Sequence, residues 1–205
     1  AWLRSLMAST RDPGRMAANA ARLLTLAPAG IDLNFGCPAP QVNRHRGGAV
    51  LLDEPELLYA VSAAVGAEIR GRTPYSAKMR LGIEDTARAL DCARALEAGG
   101  AQELVVHART RRDGYRPQVR WEWVARIREA VALPVIANGE VWSVAGWRAI
   151  RAATGCKDVM LGRGAVADRD CLRPRPNGWP RRSPDTGRSR PKGRGLWHGR
   201  TTAGT

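Results

Sequence analysis

The 205 residues predict an α/β fold, a partial (β/α)8 TIM barrel, on three observations. Short apolar runs alternate with helical periods, at spacings that suit parallel strands joined by crossovers. Five of these runs end abruptly in polar or glycine-rich residues: IDLN before Phe35-Gly36-Cys37-Pro38, SAKMR, LVVH, VIAN, and DVML before Gly162-Arg163. Donor-rich residues at successive strand exits are what a barrel with its active site at one rim shows. An eight-stranded barrel would need more strands than this, so the runs correspond to roughly strands 3 or 4 to 8.

Taken in order, Asp12-Pro13 reads as an N-cap with proline at the first helical position, and Met16, Ala20, Leu23, Leu24 and Ala27 then recur on one face. Strand IDLN follows Gly30, and Val42 to Leu52 reads as a polar, glycine-rich loop. Asp53-Glu54-Pro55-Glu56 opens a second helix with Leu57, Leu58, Val61 and Val65 on its apolar side. A strand at 76–80, a helix at 84–98 stopped by Gly99-Gly100, and a strand at 104–107 come next. A helix at 121–131, a strand at 135–138, a helix at 144–153 closed by Gly155, and a strand at 158–161 complete the alternation. A sixth strand around 3–7 has a poor pattern.

Composition divides the chain in two. Residues 1–172 carry the barrel pattern. Residues 173–205 are dense in Arg, Pro and Gly without any period, and they read as a disordered tail. Nine basic residues against Asp185 give that tail +8 of the total +14, leaving +6 for the barrel. The tail suits either an RNA-binding arm or a truncated or out-of-frame C-terminus. No apolar run approaches the roughly 20 residues of a membrane span. Cys37, Cys92, Cys156 and Cys171 lie far apart without metal-ligand spacing, so disulfides and zinc are not expected and a reducing cytoplasm fits.

Cys37 sits where a strand opens into a loop, and a rim thiol can act as nucleophile, ligand or proton donor; a buried structural cysteine is the bland alternative. Lys78, between Ala77 and Met79, suits a phosphate or an electron-rich ring, or else snorkels to solvent. Arg80 shares its face, nearer the mouth. His107 is as consistent with a satisfied core histidine as with a ligand-facing one. Asn138-Gly139-Glu140 and Gly162-Arg163 end the last two strands, where barrels often hold a phosphate. Most of Trp121, Trp123, Trp142 and Trp147 read as packing. Arg109, Arg111, Arg112 and Arg116 around Tyr115 read as a basic loop, either gripping RNA or simply solvated.

IDLNFGCP, VNRHRGGAVLL, AKMRLG, LVVHARTRRDGY, PVIANGE and VMLGRGA together resemble the bacterial tRNA-dihydrouridine synthases over residues 12–172, most closely the class that reduces uridine 16 of the D-loop. The resemblance implies a monomeric FMN enzyme that uses NADPH and acts on tRNA. It implies Cys37 as proton donor to uracil C5, Lys78 and His107 beside the flavin, and Asn138, Gly139, Glu140, Gly162 and Arg163 on the phosphate side. Asn34 and Arg80 would face the target nucleotide. The family's third-strand glutamine falls at Met7, and the tail stands where its helical RNA-binding domain would follow. Two alternatives stay open: a flavin barrel acting on a free pyrimidine, and a non-catalytic RNA-binding remnant.

Overall fold

The computed structural model describes residues 3–7 and 10–167; the expectations for 173–205 fall outside the described residues. Six parallel strands pair in chain order: β1 (Leu3–Met7), β2 (Gly30–Asn34), β3 (Tyr75–Arg80), β4 (Glu103–His107), β5 (Val135–Asn138) and β6 (Val159–Met160). Helices α1 (Pro13–Leu24), α3 (Pro55–Ile69), α4 (Ala89–Ala98), α5 (Trp121–Ala130) and α6 (Val144–Thr154) make the five crossovers. Short α2 (Pro40–Arg44) precedes α3, and α7 (Arg163–Ala167) follows β6.

The helix ends follow their capping chemistry. Asp12 accepts the Arg15 amide at 3.1 Å ahead of Pro13, and Ser143 accepts the Gly146 amide at 3.1 Å. Gly155 closes α6 in the left-handed region at φ 67. One expectation shifts: α4 begins at Ala89, not at 84, because Gly82 at φ 139 turns the chain and the Asp85 side chain caps the Ala87 amide at 2.9 Å. Two expectations change kind. Residues 3–7 form a full strand beside β2, and the expected 42–52 loop overlaps the end of α2 and a 3-10 turn at Gly48–Asp53.

The parallel register sorts the strand residues onto two faces. Leu33, Ala77, Leu104 and Val135 are consecutive partners, as are Met79, Val106 and Ala137; all are buried in the core formed with the helices. The opposite face carries Asp32 and Asn34, then Ser76, Lys78 and Arg80, then His107 and Asn138. A strand period of two therefore gives one apolar face and one that is mainly polar, with Val105 and Ile136 continuing the Lys78 row. The polar face bears the site.

Candidate active site

Register alone sets two neighbouring rows at the C-terminal ends of the strands. Asn34 is partnered with Lys78, with Met7 beside Asn34; one step higher, Arg80, His107, Asn138 and Met160 are partners in turn. Above these rows lies a cavity of about 340 Å³. All ten residues singled out from the sequence (Asn34, Cys37, Lys78, Arg80, His107, Asn138, Gly139, Glu140, Gly162 and Arg163) line it.

Cys37 is held by its backbone. Its carbonyl accepts from the Asn43 side chain at 2.9 Å and the Ala49 amide at 3.0 Å. Gly48 is the hinge of that clamp: it has φ 64, and a Cβ there would stand 2.8 Å from the Cys37 carbonyl oxygen. Asn43 and Gly48 thus place the half-buried thiol, although no periodic signal marks them in the sequence.

Lys78 is aimed by a relay across two strands. The Asn138 amide donates to the Met160 carbonyl at 2.8 Å, which turns its oxygen toward Lys78 Nζ at 3.4 Å. Burial, with Arg80 adding to it, pulls the Lys78 ammonium down to about 8. Burial also pushes His107 down to about 3, assisted by Arg80, Lys78, Arg109 and Arg163, so the imidazole is neutral at pH 7.

Arg80 is tethered. Its Nε donates to the Gly36 carbonyl at 2.9 Å and its Nη1 to the Thr110 carbonyl at 3.0 Å, tying the β2 exit to the loop after β4. It remains on the cavity wall but is 2% exposed, so it is built into the rim and is not free at a mouth. Arg163 stands at the first turn of α7, not in a loop.

One expectation is overturned. Arg109 is no part of a solvated basic loop; it is 0% exposed and pairs with Glu140, while its Nη1 lies 3.3 Å from His107 Nε2. Of the four tryptophans, Trp121, Trp123 and Trp147 pack against the core, whereas Trp142 is 43% exposed, lines the cavity, and donates its indole N–H to Glu140 at 2.8 Å. Arg109 lies just past the end of β4, where the chain bends back so that its own amide donates to the His107 carbonyl at 2.7 Å, and no strand alternation marks it in the sequence. Arg163 approaches Glu140 at 3.7 Å and lies over the rings of Tyr115 and Trp142, 4.7 and 5.1 Å from their centroids.

Among the described residues, four cationic side chains therefore surround the cavity against a single lining carboxylate, Glu140, which two of them already share. Such a site stabilises an electron-rich or anionic ligand.

Solved structures share the architecture. A dihydrodipicolinate synthase from Agrobacterium tumefaciens superposes with a TM-score of 0.60 at 18% identity, covering 82% of this chain and 56% of that one. An N-acetylneuraminate lyase from Mycoplasma synoviae gives 0.55 at 14%, over 83% and 60%. At such identities the likeness concerns the fold alone: a partial barrel. Curated relatives go further. The tRNA-dihydrouridine(16) synthase of Cupriavidus necator is 60% identical over 157 residues, 77% of this chain and 49% of that protein. Those of Ralstonia nicotianae and Pseudomonas syringae pv. tomato are 59% and 55% identical, with 48% and 51% of their length covered. The chain spans about half the length of the curated relatives it matches. The dihydrouridine synthase family model matches residues 4–171, beginning upstream of the 12–172 span of the resemblance and taking in most of β1. Agreement that runs from the first strand to beyond the last, over a barrel fragment whose strand exits meet at one cationic cavity, makes this chain a member of the dihydrouridine synthase (Dus) family.

Proposed function

We propose that this chain carries catalytic barrel residues of a tRNA-dihydrouridine synthase, which reduces a D-loop uridine, position 16, to 5,6-dihydrouridine with FMN and NADPH. The observation that carries the reading is the meeting of a thiol, an ammonium and a neutral imidazole (Cys37, Lys78 and His107) around one cavity.

The residues present fit FMN. The cavity, about 340 Å³, is within the range of ligand pockets, roughly 300 to 1,000 Å³. Its excess positive charge suits a phosphate and an electron-rich ring, and no atom lies within 4 Å of a Cβ built at Gly162, so the backbone there is open to a close-lying group. Lys78 and His107 would lie beside the ring; Asn138, Gly139, Glu140, Gly162 and Arg163 would line the phosphate side, with Asn138 also reaching Lys78. When bound, FMN supplies a two-electron reductant that NADPH renews.

The chain's own groups do the rest. Lys78 places a positive charge where electron density accumulates, and its asparagine relay keeps it there. The clamp of Asn43 and Gly48 presents the Cys37 thiol to give its proton to uracil C5. Asn34, in register with Lys78, would orient the base. The target uridine must leave its stack to reach this depth. Tyr115, 59% exposed, and Trp142 stand at the entrance with Arg163, a surface on which neighbouring bases can stack.

The test is turnover of an unmodified tRNA transcript with FMN and NADPH, reading dihydrouridine by mass. Cys37→Ala should abolish product while the yellow chromophore stays bound. Undiminished product from that variant would remove Cys37 from the reaction, and turnover of free pyrimidines in place of tRNA would overturn the substrate.

A further inference from the structure

We propose that Arg109 is a positioning residue for His107, fixing the imidazole as the neutral tautomer protonated at Nδ1 and so presenting an N–H donor to the cavity. Arg109 Nη1 lies 3.3 Å from His107 Nε2. A guanidinium has donors only and keeps its charge, so Nε2 must turn its lone pair toward it. The remaining ring proton then belongs to Nδ1. An imidazolium would set one donor against another and a cation against a cation.

The guanidinium has no freedom to turn away. Its Nε donates to the carbonyls of Arg116 at 2.7 Å and Gln118 at 3.1 Å, and its Nη2 binds the Glu140 carboxylate. Glu140 is itself held in the left-handed region at φ 58, with its other oxygen taken by Trp142. Three segments (the β4 exit, the loop at 116–118 and the β5 exit) thus converge on one fully buried side chain. A lysine could not make these four contacts from one nitrogen.

The ring lines the cavity, and among the described residues no hydrogen bond engages Nδ1, which leaves that nitrogen available to a ligand. The charged groups facing the ring are Lys78 and Arg80 from β3, Arg109 beyond β4, Glu140 beyond β5 and Arg163 of α7. Burial first, and then the excess of cations over carboxylates among the described residues, keeps the ring uncharged through neutral pH. His107 is therefore a fixed donor to a carbonyl, ring-nitrogen or phosphate oxygen acceptor, not a proton shuttle. Only the naming of that acceptor as part of FMN rests on the function proposed above.

The experiment is long-range ¹H–¹⁵N correlation of the imidazole rings in the full chain, which has three histidines; His107 is assigned by its loss in His107→Asn. The expected spectrum has Nδ1 protonated and Nε2 unprotonated, unchanged between about pH 5.5 and 8. An Nε2–H pattern, a tautomer average or a titration in that window overturns the proposal, with no variant needed. Arg109→Met should convert the pattern to a tautomer average; if the variant does not fold, the Arg109→Met/Glu140→Met double variant, which leaves no orphan carboxylate, gives the same reading. A retained Nδ1–H tautomer in either would show that Arg109 does not select it. Added FMN should shift the Nδ1 resonance. Bound FMN without that shift overturns the donor role, whereas no FMN uptake, with the tautomer intact, overturns the cofactor reading instead.

Discussion

Lys78→Met should make the protein more stable at neutral pH while it loses the cofactor. The ammonium sits among buried neighbours beside Arg80, and its affinity for the proton falls from the ordinary 10.5 to about 8. A base whose folded pKa is depressed is held charged at a cost below that pKa, because both the folded and unfolded states carry the proton there. The cost fades between about pH 8 and 10.5, where only the unfolded state stays protonated, and is absent above. The full difference corresponds to about 3 kcal/mol. Lys78 is half-buried by accessible surface, so solvent screening removes about half, leaving roughly 2 kcal/mol. The 3.4 Å contact with Asn138 is too long to offset this. Urea unfolding at pH 7 and again near pH 10 measures both parts: a higher midpoint for the variant at pH 7, and a gain that shrinks with pH. A lower midpoint at pH 7, or a gain indifferent to pH, would refute the claim that Lys78 is a desolvated cation kept for its ligand.

Three other outcomes follow from the same geometry. His107 is depressed from 6.5 to about 3, so the folded state declines a proton that the unfolded state accepts; stability should fall as pH drops from 6.5 toward 3, by up to about 1.4 kcal/mol per unit. His107→Asn should flatten that slope in unfolding midpoints taken at pH 7 and 5, and an equal slope would reject it. Gly48→Ala should cost about 2 kcal/mol and change the alkylation rate of Cys37, because it sets a methyl against the Cys37 carbonyl at positive φ; unchanged stability and labelling would free Cys37 from that clamp. If the proposed function holds, Tyr115→Ala should weaken tRNA binding about tenfold without altering its salt slope, since a stacking face is lost and no charge is; a filter-binding titration at two salt concentrations reads both.

The legible part of this fold was the part governed by period. IDLN, SAKMR, LVVH and VIAN each announce a strand and the level at which it ends, and parallel register then puts Asn34, Lys78, His107 and Asn138 in adjoining rows. Elements fixed by contact instead of period were harder to see. Residues 3–7, LRSLM, carry too little alternation to mark a strand, yet pairing with β2 makes them one. Residues 40–44 show no helical face in the sequence, and Asn43, bonding the Ala39 and Cys37 carbonyls, ties that short helix to the β2 exit. Residues 84–88 have helix-compatible side chains, but Gly82 and Asp85 turn the backbone before a helix can begin.

The same division explains the site. Position along a strand is a one-dimensional property, so the groups that reach the cavity could be named from the chain; charge partnership is not. Arg109, Arg111, Arg112 and Arg116 look alike in sequence, yet one is wholly buried against Glu140 while Arg112 meets Glu84 at 3.5 Å in solvent. Burying a guanidinium is tolerable only where acceptors surround it, and here they come from residues 116, 118 and 140. Those acceptors exist as a set only after β4, β5 and the intervening loop have assembled. A barrel that builds chemistry at its strand exits thus displays its reactive groups in the sequence, but hides the residues that orient them.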